Sequence, residues 1–237
     1  VDIGLFIIII IAASVLQTST GFGFSILATP FLLLLFEPRE AIQINLILSL
    51  LISVVFIRKI YQDVDFGIVK RFTIGSIAGL PLGIAVFLWA DIARLKLGVS
   101  FIILLLTVLL ILKFRMAQKK SRDIGVGGLS GLLTTSIGMP GPPLLLYFSG
   151  TDTMKEKLRA TTLAFYLFIY LVSLVIQVTF AGTNATVWIW SGVGLPLVGA
   201  GMYAGQLLFR LINPLLFRVF TYCILLFTGI YLLAENL

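Results

Sequence analysis

Histidine is absent from this 237-residue sequence, cysteine occurs once, and only 11% of residues are Asp, Glu, Lys or Arg. Without histidine there is no imidazole to ligate a metal, relay a proton or act as a general base near neutral pH. The single cysteine, Cys223, lies in an apolar run; it allows no intramolecular disulfide and suggests no redox chemistry. The ten acidic residues, among them Glu37, Glu40, Asp91 and Asp123, are read at the ends of apolar stretches or in loops. With no carboxylate, Lys or Arg predicted mid-span, a proton relay or a carboxylate-lined cation pathway has nothing to be built from. No nucleophile–base pair stands out, which argues against a membrane enzyme, and no cofactor is called for.

What the chain has in abundance is apolar length. Hydrophobic residues make up 59% of it, and the mean hydropathy is +1.13. Six stretches, 40–57, 68–90, 95–112, 157–180, 187–209 and 215–233, are each long enough for a bilayer core of roughly 30 Å. The expected class is an all-α polytopic membrane protein. The opening run VDIGLFIIIIIAAS lacks a basic region and a clean cleavage site, so it reads as mature structure, not a signal peptide. A net charge of +7 would suggest nucleic acid as partner in a soluble protein; here the Lys and Arg residues read as topological signals. The partners expected are a lipid bilayer and a small anion, with no nucleic acid; a homo-oligomer is compatible with such a chain.

Two further apolar stretches are broken. Residues 3–36 are interrupted by QTSTGFGFS at 17–25, leaving limbs of about 14 and 11 residues, too short to cross at 1.5 Å per residue. Residues 124–149 repeat the design around TTSIGMPGPP. If both turn back as hairpins, fourteen of the seventeen basic residues fall on one side, and only Arg39, Arg94 and Lys96 on the other. If both cross, the split is nine to eight, so the positive-inside rule selects hairpins. Both termini then lie on the outer face.

The two halves also resemble each other. Shifted by 122 residues, Ala78, Gly79 and Gly83 fall on Ala200, Gly201 and Gly205, Asp91 on Asn213 and Lys96 on Arg218. Upstream, PREAIQIN resembles KLRATTLA. The predicted organisation is a first repeat at 1–113, a cytoplasmic linker at 114–122 and a second repeat at 123–237. Each repeat holds a broken re-entrant hairpin and three spans, and three crossings per half make the repeats inverted. Such architectures place a substrate site near the bilayer midplane.

Non-helical backbone at membrane depth must be buried in protein or line a wet cavity. The first break offers Gln17, Thr18 and Ser19, then Gly21, Phe22, Gly23, Phe24 and Ser25; the second offers Thr135, Ser136, Gly138, Met139, Pro140 and Gly141. A half-helix starts after each break, and proline suits a first helical turn. Two helix N-termini aimed at one cavity would favour an anion. Asn45 and Ser49, and Thr162 and Tyr166 in the other half, stand where they would complete the site or bond neighbouring helices. Phe22, Phe24 and Met139 would seal the cavity or pack on an organic portion of the ligand. The four-residue spacing in GSIAGLPLG and GAGMYAG reads as close helix packing. Gln177 reads as a packing contact, and Trp89, Trp188 and Trp190 as interface anchors. Asn184-Ala-Thr reads as a chance glycosylation sequon.

Gly21-Phe22-Gly23-Phe24-Ser25 with Pro30, and Glu40 to Asn45 after them, resemble the pattern of the TauE/SafE anion permeases, the sulfite exporter family. The resemblance covers nearly the whole chain. It implies a secondary transporter of the bacterial inner membrane that exports sulfite, an organosulfonate such as sulfoacetate, or a related sulfur oxyanion. The residues alone imply a small-anion carrier, leaving open an importer, a carrier of another anion such as a carboxylate, or a non-transporting scaffold subunit.

Overall fold

The computed structural model describes residues 2–89, 92–112, 119–149, 151, 153–211 and scattered positions between 219 and 234. Among these residues all regular structure is helical. Helix α1, Ile3–Thr20, is capped by Asp2, whose carboxylate accepts the Leu5 N–H at 3.0 Å. It ends at Gly21, which adopts φ 84° and donates its N–H to Gln17 O. The sequence places the first break over 17–25, but the structure confines it to the residues between Thr20 and Phe24. Ser19 and Thr20 donate to carbonyls one turn back, Val15 O at 2.7 Å and Leu16 O at 2.6 Å, so the hydroxyl residues belong to the last turn of α1. The helix thereby reaches 18 residues, about 27 Å, longer than the expected limb.

Helix α2, Phe24–Leu35, has 12 residues and is too short to span. It returns along α1, since the rings of Phe6, near the start of α1, and Phe36, just past α2, lie 6.0 Å apart. Helix α3, Pro38–Ile60, starts on proline at its first turn and runs into a short 3₁₀ turn at Tyr61–Asp63. Then follow α4, Phe66–Trp89, and α5, Ile92–Ile111.

The second half opens with α6, Lys120–Ile137, and α7, Gly141–Ser149. This break is also shorter than TTSIGMPGPP, because the Thr134, Thr135 and Ser136 hydroxyls bond back to Ser130, Gly131 and Leu132 carbonyls. Near the far end of α7, Tyr147 donates its hydroxyl to Asp123 Oδ1 at 2.7 Å in the first turn of α6, so the two limbs lie side by side. Asp123, read from the sequence as a helix-end residue, is buried and paired with Arg71 of α4. Helices α8, Lys155–Ala181, and α9, Ala185–Leu211, follow. The stretch predicted at 215–233 lies largely outside the described residues, as do Asp91 and Asn213 of the repeat alignment.

Helix α1 packs on α9 and α4 on α6, while α3 crosses α8; α3 also touches α9, and α4 touches α8. Small residues set the two tightest contacts. A methyl group at Gly79 would strike the Gly128 carbonyl oxygen, and one at Gly201 would lie 2.5 Å from Ser14 Cβ. The helix backbones approach this closely only because the side chains are missing. Trp89 and Trp188 are exposed, whereas Trp190 is half-buried and packs edge-on against Phe6 at 4.9 Å and Phe36 at 5.4 Å. Asn184 caps α9 through the Val187 N–H and donates to Glu40 Oε1 at 2.7 Å.

Among the described residues five helices are long and apolar enough to cross a membrane: α1, α3 with its 3₁₀ turn, α4, α8 and α9. Their outward faces carry Ile8, Ile77, Leu82, Ile189 and Leu207 in the open, as a lipid-facing surface requires. The chain is an all-α polytopic membrane protein.

Candidate functional site

The two breaks differ in what they offer. At the first, Gly21 and Gly23 take φ 84° and 108°, conformations that a side chain would strain. Gly21 N–H bonds to Gln17 O, and Phe22 N–H to Thr20 Oγ1 at 3.0 Å. Beyond them the N–H groups of Gly23, Phe24, Ser25 and Ile26 find no acceptor among the described residues, because α2 is only beginning there. At the second break Gly138 N–H bonds to Thr134 O and Met139 N–H to Leu133 O at 3.2 Å. Prolines 140, 142 and 143 have no N–H to give. Over Ser136–Gly141, Ser136 and Ile137 thus belong to α6, the turn consumes the N–H groups of Gly138 and Met139, and Pro140 has none, so that Gly141 N–H remains.

Two helical stripes run past these turns. On α3, Asn45 and Ser49 are one turn apart and share a face; on α8, Thr162, Tyr166 and Tyr170 do the same. The stripes reach both turns. Asn45 Nδ2 donates to Gly138 O at 2.8 Å, and a methyl group at Gly141 would lie 3.1 Å from the Tyr166 hydroxyl and 3.0 Å from Ile26 Cδ1 of α2. Tyr170 donates to Ser25 Oγ at 3.4 Å, and its ring lies 4.9 Å from that of Tyr166. Gln17 Nε2 donates to Ser49 O at 3.3 Å. All of these residues are buried.

Several polar atoms in this cluster have no hydrogen-bond partner among the described residues: the hydroxyls of Ser49, Thr162 and Tyr166, and the amide oxygens Gln17 Oε1 and Asn45 Oδ1. Each such atom, left dry, costs about 1–3 kcal/mol. The amide orientations are fixed, because the partnered Nε2 and Nδ2 atoms both face carbonyl oxygens. The cluster therefore presents three hydroxyl donors and two acceptors.

Other residues singled out from the sequence are occupied differently. The Ser19 and Ser136 hydroxyls donate to their own helices, and Thr135 bonds Gly131 O and Ser173 Oγ, both at 3.1 Å. Thr18 is buried, its hydroxyl unpartnered and its Cβ against α9, where a methyl at Gly205 would meet it at 2.8 Å. Phe22, Phe24 and Met139 are fully buried, and the Phe22 ring lies 6.2 Å from Phe148 of α7, bringing the hairpins together. Pro140 O accepts from Ser130 Oγ at 3.1 Å. Gln177 donates to Thr135 O at 2.8 Å, a helix-to-helix tie. Tyr170 was not singled out from the sequence, although its spacing of four from Tyr166 could have indicated it.

The ion pairs Arg71–Asp123 and Lys157–Asp65 lie at the end of the molecule where α8 begins, while Arg39 and Glu40 stand at the other end beside Ala181 and Asn184. Lys157 Nζ and Asp65 Oδ2 are 2.8 Å apart, and this bond holds the Asp65 carboxyl below its ordinary value. Among the described residues no group of His, Cys, Asp and Glu could hold a metal ion.

Comparison with curated proteins and with solved structures gives no match. A family model described as Sulfite exporter TauE/SafE matches residues 5–232, from the start of α1 through both hairpins and the stripes between them. The chain belongs to the TauE/SafE sulfite exporter family, membrane transporters of sulfur anions.

Proposed function

We propose that this protein is a secondary transporter that exports a small sulfur oxyanion, sulfite or an organosulfonate such as sulfoacetate, across the bacterial inner membrane. The single observation that carries this reading is the buried set of unpartnered hydroxyls on α3 and α8 beside the free N–H groups at the start of α2. Neutral donors and a helix N-terminus replace an anion's hydration without fixing it as a full positive charge would. Thr162, Tyr166 and Ser49 donate to its oxygens, and the N–H groups from Gly23 to Ile26 complete the shell. Gln17 Oε1 and Asn45 Oδ1 suit the O–H of a singly protonated oxyanion, hydrogensulfite for instance. An inside-negative potential favours exit by about 2.3 kcal/mol per charge per 100 mV, so export needs little further coupling.

The inverted repeat belongs to the same proposal, and two sets of contacts support it. Exchanging α1–α4 with α6–α9 turns α1·α9 into α6·α4, α1·α3 into α6·α8 and α3·α9 into α8·α4, all of them observed. A methyl at Gly83 would meet Leu132 O at 2.5 Å and Thr135 Cβ at 2.9 Å; one at Gly205 would meet Val15 O at 2.7 Å and Thr18 Cβ at 2.8 Å. Gly21 and Gly138, each in the left-handed region, occupy corresponding places in this scheme. With both hairpins re-entrant, the charge distribution puts both termini outside.

Thermal unfolding of the purified protein in detergent, against sulfite, sulfoacetate, sulfate, taurine, acetate and chloride, tests the reading. Stabilisation by one or two sulfur oxyanions is expected. A flat response to all of them, or an equal response to chloride, contradicts a built oxyanion site.

A further inference from the structure

Arg159 is the only buried cation among the described residues, 5% exposed. From the sequence it counts as one of fourteen topological charges, yet the fold draws it inward. Its stem lies against the first turn: a methyl at Gly21 would be 2.9 Å from Arg159 Cα and 3.3 Å from Cγ. Its guanidinium sits between two rings, 5.0 Å from the Phe56 centroid and 4.4 Å from that of Phe209. Aromatic faces stabilise a guanidinium and hold its plane, but they do not neutralise it. No carboxylate among the described residues pairs with it. The acids nearby in sequence and fold are engaged elsewhere, Asp65 with Lys157, Asp123 with Arg71 and Glu156 beside Lys155.

A guanidinium cannot shed its proton in a protein, so burying one calls for an anion. The atoms left open say how that anion binds. Nε and Nη2 are both buried without a hydrogen-bond partner, and these two nitrogens form one edge of the guanidinium. That edge grips two oxygens of an oxyanion with parallel hydrogen bonds. One helical turn earlier Lys155 Nζ lies 4.9 Å from the centroid of the same Phe209 ring, its side chain 53% exposed. A second, solvent-exposed cation thus shares this ring with Arg159.

We infer that Arg159 is an oxyanion-binding site at the cation-rich mouth of the transport pathway. It grips two oxygens of a sulfite, sulfonate or carboxylate edge-on before the anion passes the Gly21 turn toward Asn45 and Tyr166. Lys155 raises the local anion concentration, and entry requires the Phe209 ring to move aside. This site rests on the transport reading above, and the experiment separates the two.

Sulfite and sulfoacetate fluxes are measured over a concentration series in proteoliposomes holding the wild type, Arg159→Met, which keeps the stem, and Arg159→Lys, which keeps the charge without the fork. The expected result is a KM raised about tenfold in Arg159→Met, with Vmax within about twofold of wild type, and a smaller rise in Arg159→Lys. In anion-free buffer Arg159→Met should melt no lower than wild type, because it removes an unpaired charge. Wild-type flux with an unchanged KM in Arg159→Met overturns the Arg159 site and leaves the transport reading standing; no wild-type flux of either anion overturns both. A markedly lower anion-free melting temperature in Arg159→Met points to a structural role and also overturns the inference. Should Arg159→Met not reconstitute, a wild-type KM in Arg159→Lys overturns it.

Discussion

Tyr166 condenses the chemistry of the site into one hydroxyl. It is fully buried, unpartnered, and within reach of the second turn at Gly141. A hydrogen bond to a charged ligand contributes about 1.5–3 kcal/mol, so Tyr166→Phe should raise the KM for the transported anion roughly tenfold or more. The same substitution removes a dry polar atom and should leave the ligand-free melting temperature unchanged or higher. A drop in both affinity and stability would instead give Tyr166 a packing role. Asp65 offers a residue-scale test outside the membrane. Its folded pKa is lowered, first of all by the bond from Lys157, so its contribution to stability is complete above the unfolded carboxyl value, about 3.9, and is lost as pH falls through the folded value. Melting temperatures measured from pH 6 to pH 3 should therefore fall less steeply for Asp65→Asn than for wild type. Identical slopes would show that the pair contributes nothing measurable, as many exposed pairs do.

At the scale of elements, composition shows where the chain breaks but not how long each break is. The runs QTSTGFGFS and TTSIGMPGPP mark both turns, yet their Ser and Thr hydroxyls bond to carbonyls one turn back and stay helical. Whether a hydroxyl satisfies itself in this way depends on what the neighbouring helix leaves it, and that is a tertiary matter. Proline had a second effect at the later turn: it starts α7 readily and at the same time removes donors from it. Arg159 was legible only as a charge, since its burial depends on Phe56 and Phe209, more than a hundred residues and fifty residues away respectively. Helix packing was easier to read, because glycines four apart admit a close approach and little else. Gly79→Leu would drive a side chain into the α6 backbone at Gly128. It should destabilise the fold by at least the ~1–3 kcal/mol typical of overpacking, seen as a lower melting temperature in detergent. An unchanged value would mean that α4 and α6 are free to separate.

For the whole molecule, the topology proposed from the distribution of basic residues has the α3–α4 turn inside and the α8–α9 turn outside. In a Cys223→Ser background, a cysteine at Thr183 should react with an impermeant maleimide added outside intact cells, and a cysteine at Lys59 only after permeabilisation. The reverse pattern would invert the whole arrangement, and with it the direction in which the Arg159 end faces. Family membership accounts for a transporter of sulfur anions, and in the proposed site the two hairpin turns flanked by α3 and α8 handle one with no histidine in the chain and no buried unpaired carboxylate among the described residues. The most direct test of that central claim is counterflow of labelled sulfite in proteoliposomes holding the wild type or a Thr162→Val, Tyr166→Phe double variant. The account predicts saturable flux in the wild type and at least a tenfold loss of apparent affinity in the variant; equal flux in both would place the pathway elsewhere and contradict it.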